Sequence, residues 1–362
     1  MKAPSEGAAG ISEAQEERTR ILVTGARGFV GRHLIAHLLT EGSAMASQDG
    51  AGGGQAASIP EAERVPQIVA AVHSDAASPA GDRAGWDGQA VPGRVEVVPL
   101  DICDAQAVRE LVARVRPHQI YHLAARASGV DVERSAVFAV NVAGTRNLLE
   151  AAGDLSPFPR ALLVSTCYVY GNTDPARPAR EEDPVGPLWR FSAYTDSKIE
   201  MEAVARAYRG FVLVARACAH TGPGQSPTYA LPNFARQLAR IERGLEPPVL
   251  HVGNLEAQRD LLDVRDVVRA YGLLMAQGVC GEVYNVATGH PVTMQAALDR
   301  LRALCAVPTE VQLDPARLRS ADIACSTGDP TKLRTATGWQ PRYSLEQTLR
   351  DTLNYWRAEV AS

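Results

Sequence analysis

The stretch Arg20-Ile-Leu-Val-Thr-Gly-Ala-Arg-Gly-Phe-Val-Gly31 decides the fold class, because it places three spaced glycines between an apolar run and a helical pattern. The run Arg20–Thr24 is short and is followed directly by glycine, as expected of a strand buried in a parallel sheet. Gly25, Gly28 and Gly31 permit a tight turn and a close approach of the backbone to a ligand. The N-terminus of the following helix offers N–H groups and a partial positive charge. This arrangement predicts a pyrophosphate-binding loop, with an ordinary glycine-rich turn as the alternative.

Apolar runs and amphipathic patterns alternate along the first 217 residues. The predicted strands are Arg20–Thr24, Gln67–Val72, Val95–Pro99, Gln119–Leu123, Arg160–Val164 and Phe211–Ala215. The predicted helices between them are Val30–Leu39, Ala105–Val115, Phe138–Ala152 and Ser197–Tyr208. This alternation predicts an α/β fold with right-handed βαβ units, that is, a doubly wound parallel sheet of the Rossmann type.

The pattern changes after residue 217. Helices are predicted at Pro232–Gly244, Val264–Gln277, Thr293–Ala303 and Leu345–Trp356, with a strand at Val249–Val252. We interpret 20–217 as the dinucleotide-binding domain and 218–362 mainly as a smaller C-terminal α/β lobe that binds substrate, with some segments returning to the first domain. Residues 1–19 are predicted to be a disordered tail, and the Gly-rich stretches 41–66 and 76–93 are predicted to be flexible insertions.

Composition excludes several classes of protein. The 362 residues include 37 Lys and Arg against 41 Asp and Glu, a formal net charge of −4, which argues against nucleic-acid or anionic-membrane binding. No apolar run reaches the roughly 18 residues that a membrane span needs, and the polar N-terminus does not resemble a secretory signal. The six cysteines form no CxxC and show no zinc-ligand spacing. The sequence therefore predicts a cytoplasmic protein whose cysteines are reduced thiols. It predicts no metal site.

The choice of dinucleotide depends on the tip of the second strand, where an acidic residue commonly binds the ribose 2′-OH of NAD. His73 occupies that tip, and Asp75 follows two residues later. Arg27, His73 and Arg32 could favour a 2′-phosphate. The choice between NAD and NADP stays open, and these residues favour NADP.

Two further strand ends are candidates for contacts with the dinucleotide. Asp101-Ile102 follows the third strand and suits the adenine amino group, although Asp is also a good helix N-cap. Leu123, Ala124 and Ala125 follow the fourth strand, and small residues there would let the cofactor cross the sheet edge. Core packing is the alternative for these three residues.

Tyr194-Thr-Asp-Ser-Lys198 places a tyrosine and a lysine at positions i and i+4, on one face of a helix. A nearby ammonium group should lower the tyrosine pKa, so that Tyr194 acts as general acid or base on a carbinol or carbonyl. Thr166 closes the fifth strand and is the candidate for binding the substrate oxygen, with Ser165 as the alternative. Cys167 is predicted to be a buried strand residue rather than a reactive thiol.

The segments TGARGFVG, DICD, HLAA, NVAGTRNLLEA, STCYVYG and YTDSK together resemble the extended short-chain dehydrogenase/reductase family. The resemblance covers about 20–357, apart from the two Gly-rich insertions. Enzymes of that family are NAD(P)-dependent sugar-nucleotide epimerases, dehydratases and reductases. The segments HTGPGQ, VGNLEAQRD, DVRDVVRAY, GEVYNV and DPARLR in the second half are similar to its GDP-mannose branch, which holds GDP-4-keto-6-deoxy-mannose reductases and GDP-mannose 4,6-dehydratases.

The resemblance implies a set of site residues and partners. It implies Thr166, Tyr194 and Lys198 as the catalytic set; Ser128, Thr166, Tyr194, Arg259 and Arg319 as substrate contacts; and Phe29, Val30, Tyr194, Lys198 and Cys218 as further cofactor contacts. The two arginines are suited to a nucleotide diphosphate, since a guanidinium binds phosphate well. It also implies a homodimer formed through the helices near Ala105–Val115 and Phe138–Ala152.

Departures from the family pattern bear on the reaction. The 4,6-dehydratases carry an acid where this chain has Tyr168, and often a second where it has Cys167, so elimination of water is poorly provided for. The family often reads Arg-Pro-Phe-Asn where Arg216 is followed by Ala-Cys-Ala, and Ser320 replaces the usual Pro. Either the sugar nucleotide is bound differently or the substrate has changed.

The sequence therefore predicts NAD(P)H-dependent reduction of the C4 keto group of a nucleotide-linked 4-keto-6-deoxy sugar, with GDP as the favoured nucleotide. The alternatives are a nucleotide-sugar epimerase, which also lacks the acid, a GDP-mannose 4,6-dehydratase, and a non-catalytic NAD(P)-binding scaffold, since fold alone does not imply function.

Overall fold

The computed structural model describes residues 18–48, 66–73, 86, 90–127, 133–186, 192–318 and 323–361; for 41–48 it describes the backbone only. The strands are β1 Arg20–Thr24, β2 Gln67–Val72, β3 Val95–Pro99, β4 Gln119–His122, β5 Arg160–Thr166, β6 Val212–Ala217, β7 His220–Thr221, β8 Val249–Val252, β9 Gln258–Arg259, β10 Leu262–Asp263, β11 Val283–Val286, β12 Val292–Thr293, β13 Glu310–Leu313 and β14 Cys325–Ser326. The helices are α1 Phe29–Gln48, α2 Ala105–Val115, α3 Arg134–Phe138, α4 Gly144–Gly153, α5 Ala193–Ala205, α6 Ala230–Glu242, α7 Val264–Gln277, α8 Met294–Ala303, α9 Thr331–Thr337 and α10 Leu345–Ala361.

Seven strands form one parallel sheet in the order β3-β2-β1-β4-β5-β6-β11. The order reverses between β1 and β4, which is the switch point where an open α/β sheet binds its ligands. Successive residues of β1 alternate between faces: Ile21 and Val23 belong to one apolar layer and Leu22 to the other. This confirms the predicted doubly wound α/β fold.

Helices cover both faces of the sheet, as parallel strands buried on both sides require. On one face α1 packs against α7, and their Leu34, Ile35 and Val267 are fully buried. On the other face α2, α4 and α5 contribute residues such as Val108 and Leu148.

A separate apolar cluster lies in the second half of the chain. Helices α6, α8 and α10 pack together around fully buried leucines that include Leu238, Leu298 and Leu349. Strand β8 adds Leu250 to this cluster and pairs in parallel with β13. In contrast, β11 lies beside β6 in the main sheet.

Several predicted bounds differ from the structure. The first helix continues to Gln48, so residues 41–48 of the predicted insertion 41–66 are helical. Residues 90–93, at the end of the insertion 76–93, form a turn whose Val91 bridges to Val95. The fifth strand extends to Thr166, which places the candidate catalytic threonine within the strand. Most of the tail, most of both insertions and Asp75 lie outside the described residues. In the described part of the chain, no helix is long and apolar enough to cross a membrane.

Candidate active site at the carboxyl edge of the sheet

The glycine-rich turn between β1 and α1 is packed so tightly that side chains are excluded at two positions. Gly25 has φ +69°, and a Cβ built on it would lie 2.7 Å from the backbone nitrogen of Ala124. A Cβ on Gly31 would overlap the carbonyl oxygen of Gly25. The N–H of Gly28 donates to that same oxygen at 3.0 Å, which closes the turn just before α1 begins. The first N–H groups of a helix have no partner within it, so this cradle fits a dinucleotide diphosphate.

Two predicted cofactor residues open helix α1. The Phe29 ring lies parallel to that of His220, with centroids 6.2 Å apart, and meets His33 edge-on at 5.3 Å. Phe29 therefore joins the turn to the segment after β6. Val30 is half-buried and packs against the core of the main sheet.

The residues expected to choose between NAD and NADP differ in their exposure. His73 follows β2 directly and is exposed, and Arg27 lies half-buried in the glycine-rich turn. Arg32 is only 4% exposed and donates to the carbonyl oxygen of Gly224 at 3.4 Å. This bond ties one nitrogen of the guanidinium to the loop after β7, and a contact of Arg32 with a 2′-phosphate stays a prediction.

Asp101 lies exposed after β3, and its Oδ1 accepts the N–H of Cys103 at 2.9 Å. The N-cap of α2 is instead Asp104, whose carboxylate accepts two N–H groups of the first turn. This excludes the N-cap alternative for Asp101. Ile102 is buried against Gly144, where an added Cβ would lie 2.7 Å from the Ile102 side chain.

The segment after β4 lies directly against the glycine-rich turn. Leu123 and Ala124 are half-buried and Ala125 is exposed. The N–H of Ala124 donates to Thr24 Oγ1 at 3.3 Å. Two of the three residues thus pack through their backbone against Gly25, beside the space that a dinucleotide would cross.

Tyr194 and Lys198 lie one turn apart near the start of α5. The helix begins after Ser192, whose hydroxyl accepts the N–H of Thr195. The Lys198 side chain is buried, and its Nζ donates to the carbonyl oxygen of Val164 at 2.7 Å and lies 5.8 Å from the centre of the Tyr194 ring. The structure therefore brings the predicted pair together at the end of β5.

The acid–base properties of this pair differ from the sequence-based expectation. Burial raises the pKa of Tyr194 above its usual value, and the neighbouring phenols of Tyr229 and Tyr168 raise it further. Burial also lowers the pKa of Lys198 to about 8, partly offset by Glu202. The expected lowering of the Tyr194 pKa is thus wrong, since desolvation dominates and the lysine is bonded to a backbone oxygen. Tyr194 is protonated at neutral pH, which is the form that can donate a proton.

Thr166 and Ser165 have different roles at the end of β5. Thr166 Oγ1 accepts the N–H of Tyr168 at 3.2 Å, which leaves its own proton for a further bond. Ser165 donates its proton to Glu202 at 2.5 Å in the protein interior. The geometry therefore favours Thr166 for the substrate oxygen.

Replacing Thr166 by Val should lower kcat by roughly 10²-fold, because one pre-positioned donor to the developing oxyanion is lost. Thr166→Ser keeps the hydroxyl and should recover most of the rate. Steady-state kinetics of the two variants, with circular dichroism as a check of folding, measures the difference. Equal rates for the Val and Ser variants would exclude Thr166 as the donor.

Cys167 and Cys218 are joined by a disulfide, with their Cα atoms 4.9 Å apart. The expectation of reduced thiols is therefore wrong for this pair. The pairing of β5 with β6 sets Thr166 opposite Ala217, so the residue that follows each strand meets the other. This closeness arises from the sheet, since 51 residues separate the two cysteines along the chain. The other cysteines, Cys103, Cys280, Cys305 and Cys325, are free.

Arg259, a predicted diphosphate contact, lies in β9. Its Nη1 donates to the carbonyl oxygens of Gln258 at 2.9 Å and Ile323 at 2.7 Å. Its guanidinium carbon lies 5.7 Å from the centre of the Tyr168 ring. Arg259 is thus held next to the position that carries an acid in dehydratases. Ser128 and Arg319 lie outside the described residues. Within the described ranges no three His, Cys, Asp or Glu side chains converge on a metal site.

Comparison with known proteins identifies the family. The model of the NAD dependent epimerase/dehydratase family matches residues 21–287. The chain belongs to this family. It is 30% identical over 348 residues to GDP-6-deoxy-D-mannose reductase of Pseudomonas aeruginosa, covering 94% of this chain and 98% of the relative.

Solved structures agree with the family assignment. The structure of RMD from Pseudomonas aeruginosa complexed with NADPH matches with a TM-score of 0.72 and 28% identity, over 94% of this chain and all of that one. UDP-glucose 4-epimerase of Thermus thermophilus, complexed with NAD, matches with a TM-score of 0.74 and 27% identity, over 94% and 99%. The chain is thus of an NAD(P)-dependent oxidoreductase type whose relatives act on nucleotide sugars, and the Gly25–Gly31 cradle fits such a cofactor.

A buried chain of hydrogen bonds, which the sequence did not reveal, joins the ends of β1 and β4 to α4. Thr24 Oγ1 accepts the N–H of Ala124, so its own proton goes to His122 Nδ1 at 2.7 Å. His122 Nε2 then donates to Thr145 Oγ1 at 2.8 Å, and Thr145 donates to the carbonyl oxygen of Asn141 at 2.7 Å. The imidazole is neutral, because burial, and to a lesser extent Lys198, lower its pKa to about 3.

The neutral His122 should make the protein less stable in mild acid. The unfolded chain binds a proton at the ordinary pKa of 6.5, whereas the folded chain does not until about pH 3, so stability falls as the pH drops through this range. Between pH 6.5 and 5 the loss from this group is about 2 kcal/mol. Denaturant unfolding at pH 7 and pH 5 should show this difference in the wild type, and His122→Gln should lack that share of it. An identical pH dependence in the variant would contradict the assignment.

Asn141 extends this network to α5, the helix that holds Tyr194 and Lys198. Its Nδ2 donates to Ser197 Oγ at 2.8 Å, and Ser197 donates to the carbonyl oxygen of Tyr194 at 2.7 Å. Asn141 lies in a π-helical turn, Ala139–Ala143, between α3 and α4. Such turns are rare and often occur at functional sites. The sequence signal for Asn141 was its place in the segment NVAGTRNLLEA, which carries the family resemblance. That segment does not show which residues Asn141 bonds to.

Proposed function

We propose that this chain catalyses the NAD(P)H-dependent reduction of the C4 keto group of a nucleotide-linked 4-keto-6-deoxy sugar. The observation that carries the proposal is a site with Thr166, Tyr194 and Lys198 at one strand end and with a tyrosine, Tyr168, in place of the dehydratase acid. The reduced nicotinamide, when bound, supplies the hydride.

The roles of the chain's own residues follow from the geometry. The Thr166 hydroxyl donates a hydrogen bond to the keto oxygen and holds it beside Tyr194. Tyr194, kept protonated by burial, gives its proton to that oxygen as the carbonyl carbon becomes a carbinol. The Lys198 ammonium stabilises the phenolate that forms, and solvent returns the proton. The keto group gains a hydride at carbon and a proton at oxygen, which gives the alcohol.

Elimination of water is poorly provided for at this site. Tyr168 is a phenol, and Cys167 is held in a disulfide, so neither position offers a carboxylate. A reductase needs only the hydride donor and one proton donor. This favours reduction over 4,6-dehydration.

The proposed nucleotide is GDP, on the strength of the similarity to a GDP-6-deoxy-D-mannose reductase along nearly the whole chain. Arg259 would bind the diphosphate, and Arg319 and Ser128 would complete the contacts. The proposed coenzyme is NADPH, since His73 stands where an acid usually follows β2, and Arg27 in the glycine-rich turn adds a positive charge.

The test mixes the purified protein with NADPH or NADH and enzymatically prepared GDP-4-keto-6-deoxy-mannose and follows loss of the reduced-nicotinamide absorbance. Substrate-dependent oxidation supports the proposal, and the faster coenzyme identifies the preference. No oxidation, in a protein shown to bind both coenzymes, would overturn it.

An epimerase is the second candidate, favoured by the likeness to the Thermus thermophilus enzyme. An epimerase oxidises and re-reduces the same sugar and so retains its NAD. Protein that is purified with stoichiometric NAD, and that interconverts C4 epimers without net oxidation of NADPH, would favour this candidate.

We also propose a homodimer through α2 and α4, which pack side by side on one face of the sheet. Sedimentation equilibrium should give twice the chain mass of 38.7 kDa. A monomer at micromolar concentration would contradict this part of the proposal.

A further inference from the structure

A buried ion pair lies directly beneath the catalytic turn of α5. Glu202 follows Lys198 by four residues and so lies on the same face of the helix. Arg216, in β6, donates from Nη2 to Glu202 Oε2 at 2.7 Å and from Nε to Oε1 at 3.0 Å. Both side chains are about 95% buried. Ser165 adds a third donor to the carboxylate, so the carboxylate is fully bonded and held in place.

Lys198 and Glu202 form hydrogen bonds with two consecutive residues of β5. The Lys198 ammonium donates to the carbonyl oxygen of Val164 at 2.7 Å, and Glu202 accepts from the hydroxyl of Ser165 at 2.5 Å. The next residue along this strand is Thr166. One turn of α5 is therefore fixed to the strand that carries the proposed oxygen-binding hydroxyl.

The charges around Lys198 come from three elements. The ionisable groups are Tyr194, Asp196 and Glu202 on α5, His122 on β4, and Arg216 on β6. Asp196 is two residues from Lys198, where helical side chains do not face each other, and it pairs with Arg134 at 2.6 Å. His122 is neutral, as described above. The one anion acting on the lysine, among the described residues, is Glu202, which opposes the effect of burial.

We propose that Glu202 is a positioning residue whose negative charge, fixed by Arg216 and Ser165, keeps Lys198 in its ammonium form beside Tyr194. Burial alone disfavours a charged lysine. The carboxylate compensates for this without reaching the substrate side, because Arg216 and Ser165 occupy its oxygens. The link to turnover rests on the proposed function, but the charge state of the lysine does not.

The sequence allows a direct test, because the chain contains only three lysines, Lys2, Lys198 and Lys332. Protein made with lysine labelled with ¹³C at Cε gives three signals, and the Lys198 signal is assigned by its absence in Lys198→Arg. Its midpoint is then followed against pH by NMR, with no cofactor or sugar added. We expect the wild-type midpoint near 8 and a fall of about one pH unit or more in Glu202→Gln.

A matched control removes an exposed acid beside another lysine. Lys332 Nζ lies 2.7 Å from Glu282, and both side chains are partly exposed. Glu282→Gln should leave the Lys198 midpoint unchanged. Since Glu202→Gln leaves the Arg216 cation unpaired and could fail to fold, Glu202→Gln combined with Arg216→Met removes both charges, and it should also lower the Lys198 midpoint.

A wild-type midpoint for Lys198 in either folded Glu202 variant would overturn the proposal. In the active enzyme the alkaline limb of kcat should move to lower pH together with the NMR midpoint, while KM changes little. A shifted NMR midpoint in a protein that does not reduce the keto sugar would refute the proposed function and leave the role of Glu202 intact.

Discussion

Tyr194→Phe is expected to lower kcat by about 10²–10⁴-fold, because it removes the one proton donor proposed for the new hydroxyl group. Phenylalanine fills the same volume, so the helix and its contacts with β5 should persist. NADPH affinity, measured by fluorescence quenching, should stay within a few-fold of the wild type.

Tyr208→Phe is the matched control for this prediction. Tyr208 lies in the single turn that continues α5 at its other end, where it packs against Phe211. Its replacement should leave kcat unchanged. Near-normal turnover in Tyr194→Phe would contradict the assigned chemistry, whatever the substrate is.

Gly25→Ala should abolish measurable binding of the dinucleotide. The residue has φ +69°, and the added Cβ would lie 2.7 Å from Ala124 N and 2.8 Å from the carbonyl carbon of Leu123. These are backbone atoms that cannot move without separating β1 from β4. The turn must open, and the N–H groups at the start of α1 would no longer converge on a diphosphate.

Gly338→Ala is the control that separates the cost of a left-handed backbone from the cost of steric overlap. Gly338 has nearly the same φ, +66°, but a Cβ there meets nothing within 4 Å. Both variants should lose about 1 kcal/mol for the left-handed conformation, whereas only Gly25→Ala should lose NADPH binding. Isothermal titration calorimetry and thermal unfolding of the two variants measure these effects. Intact NADPH binding by Gly25→Ala would contradict the cradle.

The local pattern was sufficient to predict most elements. The strands Arg20–Thr24, Gln67–Val72 and Val95–Pro99 and the helices Ala105–Val115 and Val264–Gln277 have the predicted bounds. Short apolar runs bounded by glycine or proline favour buried strands over helices, and amphipathic stretches cover the sheet that these strands form. The YxxxK spacing likewise placed Tyr194 and Lys198 on one face without reference to the rest of the chain.

Contacts between distant segments could not be predicted in this way. The Cys167–Cys218 disulfide depends on the β5–β6 register, and the orientation of Arg32 depends on a loop about 190 residues away. The acid–base state of Tyr194 was predicted wrongly for the same reason: the spacing identifies the lysine, but burial determines the pKa.

The sequence by itself determined which chemical groups are present at the site: a glycine-rich turn before a helix, a hydroxyl at a strand end, and a tyrosine with a lysine one turn later. These are short-range features, and backbone geometry over a few residues is enough to define them. Only the tertiary structure decided the protonation states of those groups. Which segments meet in the interior decides the desolvation of Tyr194, the Glu202–Arg216 pair and the neutral state of His122. Electrostatic interactions there are strong because water is excluded.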